Sequence, residues 1–263
     1  MQHRPKRSLG QNFLRDGSVS QRIVAALDLR PIDQVIEIGP GQGALTEKLI
    51  GTGASVTAIE FDRDLAPEVQ RRFCDAHNFS IVKADALDVD FASLVHRFAP
   101  GDHGSVKLVA NLPYNISTPI LQRLIEQRES FSTLVLMFQK EVVERITAEP
   151  RKKERGYLSV IAQAAFDIEY LFDVPPRAFF PVPKVWSSVI RLTPKQRRTG
   201  EEELKKIVSQ AFAQKRKTLA NNLSRYYPNV ADAISNAGLA EKVRAEQLSL
   251  DDWRQLLEAL NAL

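Results

Sequence analysis

The chain has 263 residues, 44% of them hydrophobic, and a net charge of +4 from 36 basic and 32 acidic side chains; that is enough to bury a sizeable core without covalent staples. Its one cysteine, Cys74, excludes an intrachain disulfide, and His3, His77, His96 and His103 stand at no metal-ligand spacing, so no metal is expected. The basic start, Met1 to Gly10, has no apolar run behind it, and the apolar stretch around Leu134 to Phe138 is too short to cross a bilayer. A soluble cytoplasmic protein without a membrane partner is expected.

Gln34 to Ile38 is a short apolar run entering Gly39-Pro40-Gly41-Gln42-Gly43, and Ala44 to Ile50 then shows helical spacing; strand, glycine turn, helix is the reading. Further strands are expected at Ser55 to Ile59 ending in Glu60, at Phe79 to Val82 ending near Asp85, and at Val106 to Ala110 ending at Asn111. Each ends at a polar residue. In a doubly wound parallel sheet the carboxyl ends of the strands line one crevice, so Gly39, Glu60, Asp85 and Asn111 should converge. Helices are expected at Pro119 to Gln127 and Lys140 to Ala148, and strands at Thr133 to Met137, Ile168 to Phe172 and Ser188 to Leu192. After Thr193-Pro194 only helical periodicity remains, over Leu204 to Phe212, Val230 to Ala237 and Trp253 to Leu260. The pattern divides the chain into an α/β domain, 1–194, and a small all-α domain, 195–263.

Glycines let a backbone approach a ligand closely, and the start of the following helix favours a ligand carboxylate or phosphate. Gly39, Gly41 and Ala44 also satisfy the looser dinucleotide pattern, with Glu60 about 20 residues on where an acid would hold a ribose; an NAD enzyme stays open on this motif alone. In Asn111-Leu112-Pro113-Tyr114-Asn115-Ile116-Ser117, an amide oxygen and the Pro113 carbonyl can accept from an exocyclic amine while the Tyr114 ring covers a base plane. The same run also reads as an ordinary strand-ending turn. Phe179, beside Pro181 and Pro183, is either a stiff stacking platform or a core anchor in a proline-rich connector. Four basic runs suit a phosphate backbone: Arg4-Lys6-Arg7, Arg151-Lys152-Lys153, Lys195 with Arg197 and Arg198, and Lys215-Arg216-Lys217.

These segments also carry a resemblance. Asn111 to Ser117 resembles the target-base motif of S-adenosylmethionine-dependent N6-adenine methyltransferases, most closely the ribosomal RNA adenine dimethyltransferases. Glu37-Ile38-Gly39-Pro40-Gly41-Gln42-Gly43 resembles the cofactor loop of class I methyltransferases, Gly10-Gln11-Asn12-Phe13-Leu14 the family's N-terminal motif, and Phe179 to Val185 its Phe-x-Pro-x-Pro-Lys-Val motif. The resemblance implies a Rossmann-like class I fold with a mostly parallel seven-stranded sheet. It implies S-adenosylmethionine at Asn12, Leu14, Gly39, Gly41, Glu60, Asp85 and Asn111, and a catalytic set of Asn111, Pro113, Tyr114 and Phe179, the last facing the target base. RNA would be met by Arg151, Lys152, Lys153, Lys215, Arg216 and Lys217. Ala211 to Leu219 with Asn221-Asn222-Leu223 is similar to the small-subunit enzymes, which implies dimethylation of two adjacent adenosines near the 3′ end of 16S ribosomal RNA, on the 30S subunit or its precursor, by a monomer. Two rival readings are a large-subunit RNA methyltransferase and a non-catalytic assembly factor on the same fold. Leu9 stands where the family more often has an aromatic, and Trp186 where it has a small or acidic residue.

Overall fold

The computed structural model describes residues 5–6, 9–96, 104–113 and 116–262. In chain order the first elements are β1 (Phe13–Leu14), α1 (Gly17–Ala25), β2 (Gln34–Ile38), α2 (Thr46–Ile50), β3 (Ser55–Glu60), α3 (Leu65–Arg72), β4 (Phe79–Lys83), α4 (Phe91–His96), β5 (Val106–Asn111), α5 (Ser117–Glu126), β6 (Thr133–Gln139) and α6 (Lys140–Ile146). They are followed by α7 (Tyr157–Ala165), β7 (Phe166–Val174), β8 (Phe179–Phe180), β9 (Ser187–Pro194), α8 (Glu201–Ala211), α9 (Leu219–Leu223), α10 (Val230–Asn236) and α11 (Leu250–Asn261). Two compact units result: Met1–Val143 with Asp167–Pro194, and Glu144–Phe166 with Lys195–Leu263.

The first unit holds a seven-stranded sheet in the order β4-β3-β2-β5-β6-β9-β7. Strands β4, β3, β2, β5 and β6 run parallel, and β9 is antiparallel to β6. A parallel strand covered on both faces reads as a continuous apolar run rather than an alternation. Strand β6 shows it, with Leu134, Val135, Leu136, Met137 and Phe138 all buried. Each such side chain removed from water contributes about 1.5–3 kcal/mol. The direction of winding reverses between β2 and β5, and the crevice lies at their carboxyl ends.

At the opposite edge, Asp33 fastens the starts of β2 and β5. Its fully buried carboxylate accepts from the Arg30 guanidinium (2.9 Å), the Ser105 N–H (2.9 Å) and the Lys107 ammonium (3.1 Å). Burial alone would raise its pKa; these donors overrule burial and hold the carboxyl well below the usual range.

Helix α2 begins at Thr46, two residues later than its apolar spacing predicts, because residues 41–45 form turns. A two-residue antiparallel ladder joins β1 to β8, with Phe13 opposite Phe180 and Leu14 opposite Phe179.

The second unit is helical. Trp253, fully buried, packs against Phe212 at 6.2 Å between ring centroids. Ser249 and Asp252 close a reciprocal cap on α11. Arg155, 1% exposed, donates to the Ala148 and Leu248 carbonyls and to Gln163, so it binds the 144–166 segment to the tail. A linear division at residue 194 leaves 144–166 with the sheet. The fold instead gives it to the helices, because the apolar residues of α7 need that core. Among the described residues no helix is long and apolar enough to cross a membrane, and no cluster of His, Cys, Asp or Glu could hold a metal.

Candidate active site

A cavity of about 300 Å³ opens at the carboxyl ends of β2, β3, β4 and β5. Gly39, Gly41, Glu60, Asp85 and Asn111 all line it, as do Asn12, Leu14 and Pro113. The convergence expected from strand ends is therefore met in space. Gly41, at φ +56°, faces the Phe13 ring, which a Cβ atom would meet at 3.0 Å, so the turn needs both the left-handed backbone and the missing side chain.

Four carboxylates, Glu37, Glu60, Asp62 and Asp85, stand in the wall, and no described lining residue is basic. Glu60, at the end of β3, accepts from the Asp62 N–H (2.8 Å) and the Gly41 N–H (3.2 Å). Burial nonetheless pushes its pKa up. Glu37, 1% exposed within β2, accepts from the Thr46 hydroxyl at 2.7 Å; burial, assisted by the charge of Glu60, pushes it up to about 7. Such a wall favours a ligand that brings positive charge. The Asp85 carboxylate accepts from the Leu87 N–H at 2.9 Å, so it lines the cavity and starts a turn at once.

One part of the site has no local sequence signal. Lys6 donates to Asp62 and to Asp64, both at 2.6 Å, and Gln11 donates to Asp62 at 2.8 Å. These bonds strap the N-terminal segment across the loop after β3. Lys6 is thus an internal partner of Asp62, whereas its neighbours Arg4 and Arg7 lie outside the described residues.

Asn111, the last residue of β5, donates its amide Nδ2 to the Asn12 carbonyl at 3.3 Å. That bond leaves the amide oxygen as the acceptor available to a ligand. The Pro113 carbonyl already accepts from the Ile116 N–H (3.2 Å) and the Ser117 hydroxyl (3.0 Å), which occupies both of its lone pairs in starting α5. The expectation that it receives a base amine is corrected accordingly. Leu112, also in the wall, donates to Met137 O, and its own carbonyl accepts no bond among the described residues. Tyr114 lies outside the described residues.

Phe179 is 3% exposed, packed in the core with Leu14, Val174 and Ala178, and is absent from the cavity wall. The core-anchor alternative describes this ring; a stacking face is not presented. Phe180, its neighbour, points outward. In the helical unit, Arg151, Lys152 and Lys153 are exposed beside Lys215, Arg216 and Lys217, and Lys215 donates to the Lys153 carbonyl. Two basic runs distant in sequence therefore meet.

Residues 2–262 match the ribosomal RNA adenine dimethylase family. The chain belongs to this family. Relatives named ribosomal RNA small subunit methyltransferase A include one from Acinetobacter baylyi, 43% identical over 98% of this chain and 93% of the relative, and one from Syntrophotalea carbinolica, 42% identical over 99% and 98%. Among solved structures, a dimethyladenosine transferase from Plasmodium falciparum superposes with a TM-score of 0.79 at 27% identity, covering 95% of this chain and 98% of that one. The 23S rRNA methyltransferase ErmE superposes at 0.70 with 28% identity, covering 95% and 100%. The sheet and helices are thus the class I methyltransferase fold, and the chain is an RNA methyltransferase of the dimethylase family.

Proposed function

We propose that the protein transfers methyl groups from S-adenosylmethionine to N6 of two adjacent adenosines in the 3′-terminal hairpin of 16S ribosomal RNA, acting in the cytoplasm as a monomer on the 30S subunit or its precursor. One observation carries the reading: the Asn111 amide is held by Asn12 at the rim of a cavity whose wall is acidic and glycine-rich. The wall fits the cofactor: Gly39 and Gly41 admit a close backbone approach, Glu60 has lone pairs left for ribose hydroxyls, and Asp85 can accept from an adenine amine. Asn12 and Leu14 cover it from the N-terminal segment. When bound, the cofactor supplies a methyl group already activated by a sulfonium.

The remaining task is orientation. The Asn111 oxygen accepts one hydrogen of the target amine, and the Leu112 carbonyl takes the part first expected of Pro113. Together they turn the nitrogen lone pair toward the cavity. Positive charge developing on nitrogen is stabilised by these oxygens and by the face of Tyr114. Nitrogen loses its proton readily once alkylated, so no strong base is required. Phe179 supports Leu14 from behind, and a base is everted to reach the cavity. The joined runs at 151–153 and 215–217 receive phosphates.

Labelled-methyl transfer to unmethylated 30S particles, with the modified nucleosides mapped, tests the reading. Dimethyladenosine in the 3′ hairpin supports it. Label in large-subunit RNA favours the first rival, and cofactor binding without transfer favours the non-catalytic one.

A further inference from the structure

Phe179 and Phe180 are adjacent in a strand, so their side chains point to opposite faces. The inner ring anchors the core, whereas the outer one is 44% exposed, with the Arg15 guanidinium 4.1 Å above it. Arg15 is held there by its own backbone, which donates to Ala178 O at 2.8 Å. Six residues beyond Phe180, Trp186 is 49% exposed, and its carbonyl accepts from Lys140 N–H at 2.9 Å, which fixes the end of the loop. An exposed tryptophan and an exposed phenylalanine on one short proline-braced loop are costly to leave in water unless something covers them.

We propose that Phe180, backed by Arg15, and Trp186 form a landing for an unpaired nucleobase that flanks the adenosine entering the cavity. This rests on the RNA-methylation reading above and adds a second base contact to it. Three features choose a base over an apolar protein surface. Aromatic rings beside a guanidinium stack bases of any sequence. The segment from Arg177 to Trp186 carries Arg177 and Lys184 and no acidic residue, which suits a polyanion. Phe180 also sits opposite Phe13 in the β1–β8 ladder, and Phe13 follows Asn12, the residue that holds Asn111. The landing is therefore continuous with the rim of the cavity, at the reach of a neighbouring nucleotide.

Trp253, the second tryptophan, is fully buried, so quenching of fluorescence on RNA binding reports Trp186. The full chain is titrated with single-stranded oligoadenylate and with a paired RNA duplex of equal charge. Oligoadenylate should quench the emission saturably while the duplex leaves it unchanged, and Trp186→Phe should remove the signal while keeping affinity. Phe180→Ala should weaken oligoadenylate binding about tenfold, equivalent to about 1.4 kcal/mol, with an unchanged salt slope, and should raise KM on 30S particles more than it lowers kcat. Arg15→Ala should reduce the salt slope by about 0.7. Equal quenching by duplex, or unchanged affinity in Phe180→Ala, overturns the landing. So does a wild-type dimer, seen by light scattering, that Phe180→Ala disperses, because the face would then bind a second copy. Absence of methyl transfer by the wild type with normal oligoadenylate behaviour refutes the methylation reading and leaves the landing standing.

Discussion

The side-chain amide of Asn111 is held by the main-chain carbonyl of Asn12, 99 positions earlier in the chain. One N–H of its amide is engaged in that contact, so its oxygen is oriented before any base arrives. Asn111→Ala should lower single-turnover methyl transfer by about 10²–10³, the usual cost of one preorganised polar contact to a developing charge, with calorimetric cofactor affinity nearly unchanged. Asn111→Asp keeps an acceptor but sets a carboxylate against the Asn12 carbonyl, and should be comparably slow. Turnover near normal in both would remove Asn111 from the chemistry.

Glu37 makes cofactor binding depend on pH. A cationic ligand favours the ionised carboxylate, whose pKa is about 7 in the free protein. Affinity should therefore rise between pH 5 and 7 and level off above, with a proton released on binding at pH 6. Calorimetry in two buffers of different ionisation enthalpy measures that proton, and Glu37→Gln should abolish its release.

The same group sets a sign for stability. Its folded pKa lies above the unfolded value of 4.5, so its contribution is fully present below about pH 4.5 and is lost as pH rises toward 7. Glu37→Gln, whose amide oxygen still accepts from Thr46, should gain on the wild type across that window, by roughly 3 kcal/mol above pH 7 at 1.36 kcal/mol per unit. Urea unfolding at pH 4.5 and 8 reads the difference.

Asp33 behaves oppositely. Its carboxyl is depressed below 3.8, so its contribution is present above that pH and is lost only as pH falls through the folded value. Asp33→Asn leaves Lys107 buried without its counter-charge and should cost about 3–5 kcal/mol near pH 7, a difference that largely persists at pH 3 and shrinks only as pH falls further. Denaturation midpoints at pH 7, at pH 3 and at successively lower pH check it.

Breaking the Lys6 and Gln11 bonds to Asp62 should free the N-terminal segment from the loop after β3. Lys6→Ala with Gln11→Ala should raise the cofactor dissociation rate several-fold in stopped-flow measurements, leaving the thermal midpoint little changed. An unaltered dissociation rate would make the strap ornamental to binding.

The cavity was legible in the sequence wherever an apolar run stopped at one polar residue, because parallel strands announce their carboxyl ends in that way. Glu60, Asp85 and Asn111 were read so. Glu37 was marked only as the acid that opens the run resembling a class I cofactor loop. The strap was not legible: Lys6 and Asp62 are 56 residues apart with no periodicity between them. Nor could the order of Phe179 and Phe180 be read, since a two-residue strand has too few positions to show which parity faces inward. Their burial settles that, with Phe179 in the core and Phe180 half exposed. The start of α1 was missed although Asp16 caps it, accepting from the Ser18 and Val19 N–H groups, because its apolar spacing spans only two turns.

The helical unit is assembled from two stretches of chain with two strands of the sheet between them. During synthesis, Arg155 leaves the ribosome 93 residues ahead of Leu248, the carbonyl it must reach. At 5–20 residues per second, that is a wait of roughly 5–20 s, during which Leu158, Val160 and Ile161 have no tail to cover them. The nascent chain thus carries an uncovered helix through 93 further residues of elongation, until the segment around Leu248 emerges to close it.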